Sequence, residues 1–329
     1  MKTLLITDLH INSKVRGLVK EQIKCLTKIL HEEQPNELII MGDIFMHRKP
    51  SPNDLVMFKT LIDKAYHELG ASIYILRGNH DSENKSDDGL TALSLYEDKA
   101  KIVKKTWFDY KTKRAFIPHY ENENTIKEAL ERVPNDYTVF GHFGYYGCLN
   151  SAGDRDCSLS VNNFHNTTYL GHIHTFNQNG NITILGTPYS TNYGESEKEN
   201  FYAILTADGV EFKNINHGPR YLVIDYKELS DRLDIINDNN YFTFLRVLCG
   251  PDDDPSQVPY DELEVASIDI KYKPVFDKEI SNYSPDRDLF SINEIIIEDY
   301  VDSVETSLTR DKILEGYSLI KNEDTKDIN

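Results

Sequence analysis

The sequence predicts an α/β protein whose chemistry sits at the carboxyl ends of its strands. Three observations predict it. Short apolar runs at residues 3–7, 37–41 and 73–76 alternate with stretches of helical periodicity, the rhythm of a largely parallel sheet. Each run ends in a polar cluster, and open α/β sheets place their sites at such ends. The most telling cluster is Arg77-Gly78-Asn79-His80-Asp81. Its glycine permits a sharp turn, which presents an amide, an imidazole and a carboxylate together.

The elements follow in order. Residues 3–7 form a strand ending in Asp8-Leu9-His10. Val15, Leu18, Val19, Ile23, Leu26, Ile29 and Leu30 recur at helical spacing until Pro35 and Asn36 break the helix. Residues 37–41 form a second strand ending in Gly42-Asp43, and Pro50-Ser51-Pro52-Asn53 makes a turn. Leu55, Phe58, Leu61, Ile62, Ala65 and Leu69 mark one face of the next helix, which leads to strand 73–76 and the central cluster. The polar stretch 82–88 is a loop, 90–96 a short helix, 115–119 a short strand and 124–132 a helix. Residues 137–140 form a strand ending at Gly141-His142. The stretch 144–165, rich in Gly, Asn, Ser and Asp, is a long loop of the functional or mobile kind.

Tyr169-Leu170 lead into Gly171-His172-Ile173-His174, and strand 182–185 into Gly186-Thr187-Pro188. Asp208-Gly209 turns a hairpin between 201–205 and 210–212. A first domain thus covers residues 1–215. Strand-like runs at 221–225, 242–248 and 266–272 predict a small α/β domain over 216–290. Residues 291–329 turn helical, with a second helix at about 308–321 and a polar end.

At 329 residues, one large domain and a smaller one are expected. No apolar run is long enough to span a bilayer. The opening Met1-Lys2-Thr3-Leu4-Leu5-Ile6 is too short in apolar residues for a signal peptide, with Asp8 and His10 close behind. Cys25, Cys148, Cys157 and Cys249 form no C-x-x-C pair, which fits reduced thiols in a cytoplasm. The net charge of −18 looks wrong for a protein that meets nucleic acid. Its distribution changes that view. Residues 1–250 hold 28 basic and 33 acidic side chains, while residues 251–329 hold 8 and 21. The acid is concentrated at the carboxyl-terminal end.

Asp8 and His10 stand two apart, so an extended segment turns both side chains to one side, and the same reasoning covers His172 and His174. Each remaining residue has an ordinary reading by itself: Asp43 as a cap, Asn79 as a turn residue, His142 as a core histidine. Asp8, His10, Asp43, Asn79, His142, His172 and His174 at five strand ends point together to metal. Carboxylate, imidazole and amide oxygen suit Mn²⁺, Fe²⁺ or Zn²⁺ rather than Mg²⁺ or a thiolate zinc site. Seven ligands exceed one tetrahedral ion and suit two ions about 3.5–4 Å apart, bridged by one carboxylate.

In order, the motifs D-x-H, G-D, G-N-H-D, G-H and G-H-x-H resemble those of the calcineurin-like metallophosphoesterases. Within that superfamily the chain is most similar to the SbcD family of DNA-repair nucleases and their phage recombination relatives. The specific signs are Gly42-Asp43-Ile44-Phe45 with Ser51-Pro52 shortly after, and Gly186-Thr187-Pro188-Tyr189 after the last histidines. The resemblance covers residues 1–215 strongly and the remainder weakly. It implies a metallophosphoesterase β-sandwich flanked by helices, a small α/β cap for DNA recognition and carboxyl-terminal helices that bind a partner.

Carried over residue by residue, the resemblance assigns Asp8, His10, Asp43 and His174 to one metal. Asn79, His142 and His172 join Asp43 on the other. His80 becomes the catalytic histidine that protonates the leaving oxygen, oriented by Asp81. Many relatives carry a histidine directly after G-D-x-F, where this chain has Met46, with His47 next. The implied activity is a two-metal, Mn²⁺-dependent DNA exonuclease and endonuclease in double-strand-break processing, recombination or replication. The implied place is the cytoplasm, or that of a host if the chain is phage-encoded.

Three other readings stay open at this point. A protein phosphatase continues its G-D motif with Arg-Gly and ends its tetrad in Glu, where this chain has Phe45-Met46 and Asp81; a small-molecule phosphodiesterase has no need of residues 216–329. A non-catalytic scaffold would show a decayed site, and every expected ligand is present.

The implied partners are DNA, a coiled-coil ATPase of the SbcC type and a second copy of the chain. Ile295, Ile296, Tyr300, Ile313, Leu314 and Tyr317 form an apolar helical face with little core of its own to cover, the pattern of a segment that docks in a groove. For the homodimer, the face Leu55, Phe58, Leu61 and Ile62 is a candidate contact, with Met57 and Tyr66 beside it; packing of the same stripe on the sheet is an equal reading for most of these residues. Arg48, Lys49, Lys101, Lys104, Lys105, Lys111, Lys113 and Arg114 are candidate DNA contacts, although the acidic balance argues against strong autonomous binding.

Overall fold

Two six-stranded sheets packed face to face carry the site on one rim. The computed structural model describes residues 1–148, 158–196 and 198–273. In chain order, β1 (Thr3–Ile6), α1 (Leu18–Glu33), β2 (Glu37–Ile40), α2 (Pro52–Asp63) and β3 (Ser72–Leu76) come first. Then follow β4 (Ala100–Val103), β5 (Trp107–Asp109), β6 (Arg114–Ile117), α3 (Glu123–Glu131), β7 (Thr138–His142) and β8 (Thr168–Gly171). Next are β9 (Asn177–Asn179), β10 (Ile182–Ile184), β11 (Phe201–Thr206) and β12 (Gly209–Asn214). Last are β13 (Gly218–Asp225), α4 (Leu233–Ile236), β14 (Tyr241–Cys249) and β15 (Ser267–Tyr272).

The first sheet has the order β12-β11-β1-β2-β3-β4 and the second β5-β6-β7-β8-β10-β9. Strands β1 to β4 are parallel to one another, as are β6, β7, β8 and β10, while hairpins close the outer edges antiparallel. The predicted parallel strands are therefore divided between two sheets, the sandwich that the family resemblance implies. Their apolar runs are continuous because both faces are covered. On β1, Leu5 faces the sandwich interior with Ile39, Leu76, Phe116, Phe140 and Tyr169. Its neighbours Leu4 and Ile6 face α1 and α2. The outer face of the second sheet is covered by Ile126, Ala129 and Leu130 of α3.

Helix α1 docks through Ile23, Leu26, Ile29 and Leu30, each at most 5% exposed; burial of each contributes about 1.5–3 kcal/mol. Helix α2 starts where a turn was expected. Ser51 is its N-cap, Pro52 stands at the first helical position, and Asp54 completes a capping box. The α2 stripe offered as a dimer contact is spent within the chain. Phe58, Leu61 and Ile62 are fully buried against α1 and the sheet, and Leu55 and Met57 pack beside them. That expectation is corrected: an apolar stripe on a helix over a sheet covers the sheet first.

β13, β14 and β15 form a parallel three-stranded sheet with its own core of Leu222, Ile224, Leu245, Val247 and Cys249. β13 packs on α1, where Gly218 lies against Cys25 with no room for a Cβ. Strands β4, β5 and β9 went unread in the sequence. β4 had a signal in Ala100-Lys101-Ile102-Val103; the polar Asn177-Gln178-Asn179 had none. Among the described residues, no helix is long and apolar enough to cross a membrane. Ile295, Ile296, Tyr300, Ile313, Leu314 and Tyr317 lie outside the described residues.

Candidate metal centre

The rim is built by the chain curling as each strand ends. Beyond β1 and β2, parallel pairing continues: Asp8 N donates to Gly42 O at 3.0 Å and His10 N to Asp43 O at 3.0 Å. Asp8 (φ 53°), His10 (φ 42°), Asp43 (φ 49°) and His172 (φ 85°) all adopt left-handed backbone. Such residues cost about 1–3 kcal/mol each and persist only where the surroundings hold them, so their concentration here marks a functional site. The curl replaces the strand alternation expected to aim Asp8 and His10. Gly78 has no alternative, because a Cβ there would collide with the Asp43 carboxylate and backbone.

Two clusters result, joined at Asp43. In the first, Nε2 of His10 lies 3.0 Å from Nε2 of His174, 3.9 Å from Asp8 Oδ1 and 3.7 Å from Asp43 Oδ2. In the second, Nε2 of His142 lies 3.3 Å from Asp43 Oδ1 and 3.2 Å from Asn79 Oδ1, and His172 Nδ1 is 2.9 Å from the same amide oxygen. His172 and His174 thus face different clusters, whereas alternation alone had aimed them at one ion. The strand ends at Gly171, and the left-handed backbone of His172 breaks the alternation.

The donor atoms fit divalent cations by their own hydrogen-bond accounting. His142 Nδ1 can only donate to the Met41 carbonyl, 2.6 Å away, which leaves Nε2 as a lone pair in the neutral ring. That lone pair and two acceptor oxygens then face one another with no hydrogen between them. Without a cation, a proton fills the gap. Burial opposes it, yet the Asp43 carboxylate holds His142 up at about 9. His10, by contrast, is pushed by burial down to about 4, the neutral form a metal requires. His174 donates Nδ1–H to Glu195 Oε1 at 2.6 Å, and this again turns Nε2 toward the cluster.

His80 stands beside the first cluster, its ring 5.0 Å from that of His10 and edge-on to it, and with His10 and Asp43 it forms a further grouping able to hold a cation. Its Nδ1 donates to the Met46 carbonyl at 2.7 Å, and its backbone N–H donates to Asp43 Oδ1 at 2.8 Å. Asp81 does not orient His80, which corrects the expectation. Its buried carboxylate accepts from Ile44 N and Gly78 N, both at 2.9 Å, and from Phe45 N at 3.3 Å. It ties the loop after β2 to the loop after β3. Burial and the nearby Asp43 carboxylate push Asp81 up to about 7.

Two neighbours of the site escaped the sequence reading. Glu195 follows His174 by 21 residues in a polar stretch with no motif around it. His119 ends the segment after β6 with its ring 5.6 Å from that of His172. Burial, then the imidazoles of His142 and His172, push it down to about 3. It lines a cavity of about 310 Å³ with Asn79, His172, Arg48, Lys85 and Glu121. Arg48 braces that wall by donating to Ser82 O and Asn84 O and pairing with Glu121. His47 joins none of the metal-binding groupings found among the described residues. Three of the other basic candidates are paired within the chain: Lys104 with Glu97, Lys113 with Asp136 and Arg114 with Glu37.

Known proteins are similar to this chain in sequence. Residues 1–176 match the family described as calcineurin-like phosphoesterase. Exonuclease subunit 1 of Enterobacteria phage T4 is 26% identical over 257 residues, covering 70% of this chain and 75% of that protein. The SbcD subunit of the SbcCD nuclease of Staphylococcus epidermidis is 23% identical over 292 residues, covering 74% and 78%. A solved dimetal phosphatase from Danio rerio superposes with a TM-score of 0.39 at 13% identity, over 65% of this chain and 95% of that one. The family match spans more than half of the 329 residues, and the chain belongs to the calcineurin-like phosphoesterase family.

Proposed function

We propose that the chain is the nuclease component of a DNA-processing complex, a hydrolase that cleaves DNA phosphodiesters with two divalent cations, Mn²⁺ by preference. The observation that carries this reading is the placement of Asp43, whose Oδ2 faces His10 while Oδ1 faces His142. Asp8, His10, Asp43 and His174 would hold one cation, and Asp43, Asn79, His142 and His172 the other. Cations bound there supply a nucleophile from water at neutral pH and offset charge on the phosphoryl group at the transition state.

The chain's own residues do the remainder. Asp43 fixes the spacing of the two clusters. His80, held through Nδ1 by the Met46 carbonyl, keeps Nε2 for a proton destined for the leaving oxygen. The two relatives are by name subunits, which supports a partner for this chain. Residues 291–329 are our candidate for docking a coiled-coil ATPase, with residues 216–290 as the DNA-recognition cap. The partner would supply the positive surface this acidic chain lacks. A homodimer, on surfaces other than the α2 stripe, and action in the cytoplasm complete the reading.

The test is digestion of single- and double-stranded DNA by the full chain with Mn²⁺, with Mg²⁺ and with chelator, alone and with the ATPase. Mn²⁺-dependent cleavage is expected. Hydrolysis of small phosphodiesters with no action on DNA would favour a small-molecule phosphodiesterase, and failure on both would favour a scaffold.

A further inference from the structure

Of the imidazoles in the two clusters, His174 is backed by a carboxylate, while His142 is backed by a carbonyl and His10 Nδ1 is buried without a hydrogen-bond partner. That carboxylate, Glu195, is 2% exposed and is itself held in place. Thr191 N donates to Oε2 at 2.7 Å, Thr191 Oγ1 reaches both oxygens at 3.0 and 3.1 Å, and Asn192 Nδ2 donates to Oε1 at 2.9 Å. A carboxylate so fixed cannot rotate away from the ring it serves.

The loop that supplies these bonds is anchored at three points. Tyr189 donates its hydroxyl to the Leu9 carbonyl at 2.6 Å, between Asp8 and His10. Ser190 Oγ accepts from Tyr221 N at 2.8 Å, and Ser196 Oγ from Val223 N at 2.9 Å. Tyr221 and Val223 are alternate residues of β13, whose other edge pairs with β14. The free edge of the third sheet therefore grips the loop by two backbone N–H groups, one on each side of Glu195. Tyr193 adds ring contact, edge-on to Tyr221 at 5.0 Å and covered by the Arg246 guanidinium at 3.9 Å.

We infer that Glu195 is the positioning residue for the His174 half of the centre, and that Ser190–Ser196 form a strap through which β13 holds it. The inference rests on His174 being a metal ligand. A carboxylate on the far nitrogen fixes an imidazole's tautomer and raises its basicity toward a divalent cation. The strap makes that support depend on where the third sheet sits.

The test uses the full-length chain and direct Mn²⁺ binding, followed by calorimetry and by the electron paramagnetic resonance signal of the free ion. Glu195→Gln keeps the shape and removes the charge. It should weaken one of the two Mn²⁺ sites about 10- to 100-fold and leave the other unchanged, with Glu195→Asp restoring part of the loss. The double variant Ser190→Ala, Ser196→Ala leaves the carboxylate in place and should weaken the same site by a smaller factor. His174→Ala is the control, expected to lose that site altogether. If His174→Ala loses a site while Glu195→Gln and the serine variant bind both ions as the parent does, the strap is wrong and the centre stands. If His174→Ala also binds two ions normally, the ligand assignment fails and the strap fails with it.

Discussion

The Met46 carbonyl accepts the Nδ1 proton of His80 at 2.7 Å. A backbone carbonyl cannot be lost by substitution at Met46, and it fixes the tautomer without placing a charge beside the ring. His80→Ala should keep both cations and DNA binding while losing turnover by roughly 10²- to 10⁴-fold, the range of a general acid. Metal content measured beside single-turnover rates decides this. Loss of a cation in that variant would make His80 a ligand.

Asp81 serves the fold, and its variant should show it. In Asp81→Asn one oxygen becomes an amide N–H₂, and one of the three backbone N–H groups loses its acceptor. The expected cost is about 1–3 kcal/mol of stability, with the pH profile of turnover unmoved. A profile that shifts while stability holds would return Asp81 to the role of orienting His80.

Asp43→Asn removes the shared charge and keeps an oxygen able to accept from His80 N. The folded protein should bind at most one cation tightly and lose nuclease activity to background. Full activity in a metal-replete variant would sink the two-metal assignment.

Glu33 offers a pH test away from the centre. Its carboxylate, 5% exposed, pairs with Lys2 at 2.5 Å and Lys213 at 2.8 Å and accepts from Tyr202 at 2.6 Å. It thereby joins the end of α1 to the start of β1 and to the β11–β12 hairpin. Burial opposes its charge, but these three bonds hold it at about 2 against an ordinary 4.5. A lowered carboxylate stabilises the fold above its ordinary value and loses that contribution as pH falls through the lowered one. Glu33→Gln should cost roughly 2–4 kcal/mol at neutral pH, and the gap from the parent should close from pH 4.5 toward 2. Urea melts at pH 7 and pH 3 check it; an equal gap at both would remove charge from the explanation.

Much of the centre was legible because its residues sit where strands end, and strand ends are marked by short apolar runs followed by glycine. Asp43, Asn79, His142, His172 and His174 follow such a glycine, whereas Asp8 and His10 follow Thr7 at the end of the first run. The way they are aimed was not legible. Asp8, His10 and His172 owe their directions to left-handed backbone, which side-chain alternation does not describe. Asp81 was misread because it stands next to His80 in the chain, whereas the unpaired N–H groups of Gly78, Ile44 and Phe45 compete for it in space. Glu195 and His119 reach the site through tertiary folding alone. The α2 stripe shows the converse, since helical periodicity reports an apolar face but not what covers it.

Residues 291–321 frame the last prediction. Ile295, Ile296, Tyr300, Ile313, Leu314 and Tyr317 form an apolar pattern at helical spacing, flanked by Glu294, Glu298, Asp299, Asp311 and Glu315. An apolar helical face with little core of its own to cover is suited to a groove on a partner, and acids around it favour a basic surface and faster encounter. The centre, meanwhile, draws its ligands from Asp8 to His174 and its support from Glu195, all before residue 200. Deleting residues 291–329 should therefore leave Mn²⁺-dependent cleavage of short single strands intact, and abolish both ATPase co-purification and ATP-dependent digestion of duplex DNA. A truncated chain that still co-purifies with the ATPase and digests duplex normally would place the docking surface elsewhere. One that loses single-strand cleavage as well would show that the segment supports the nuclease fold itself.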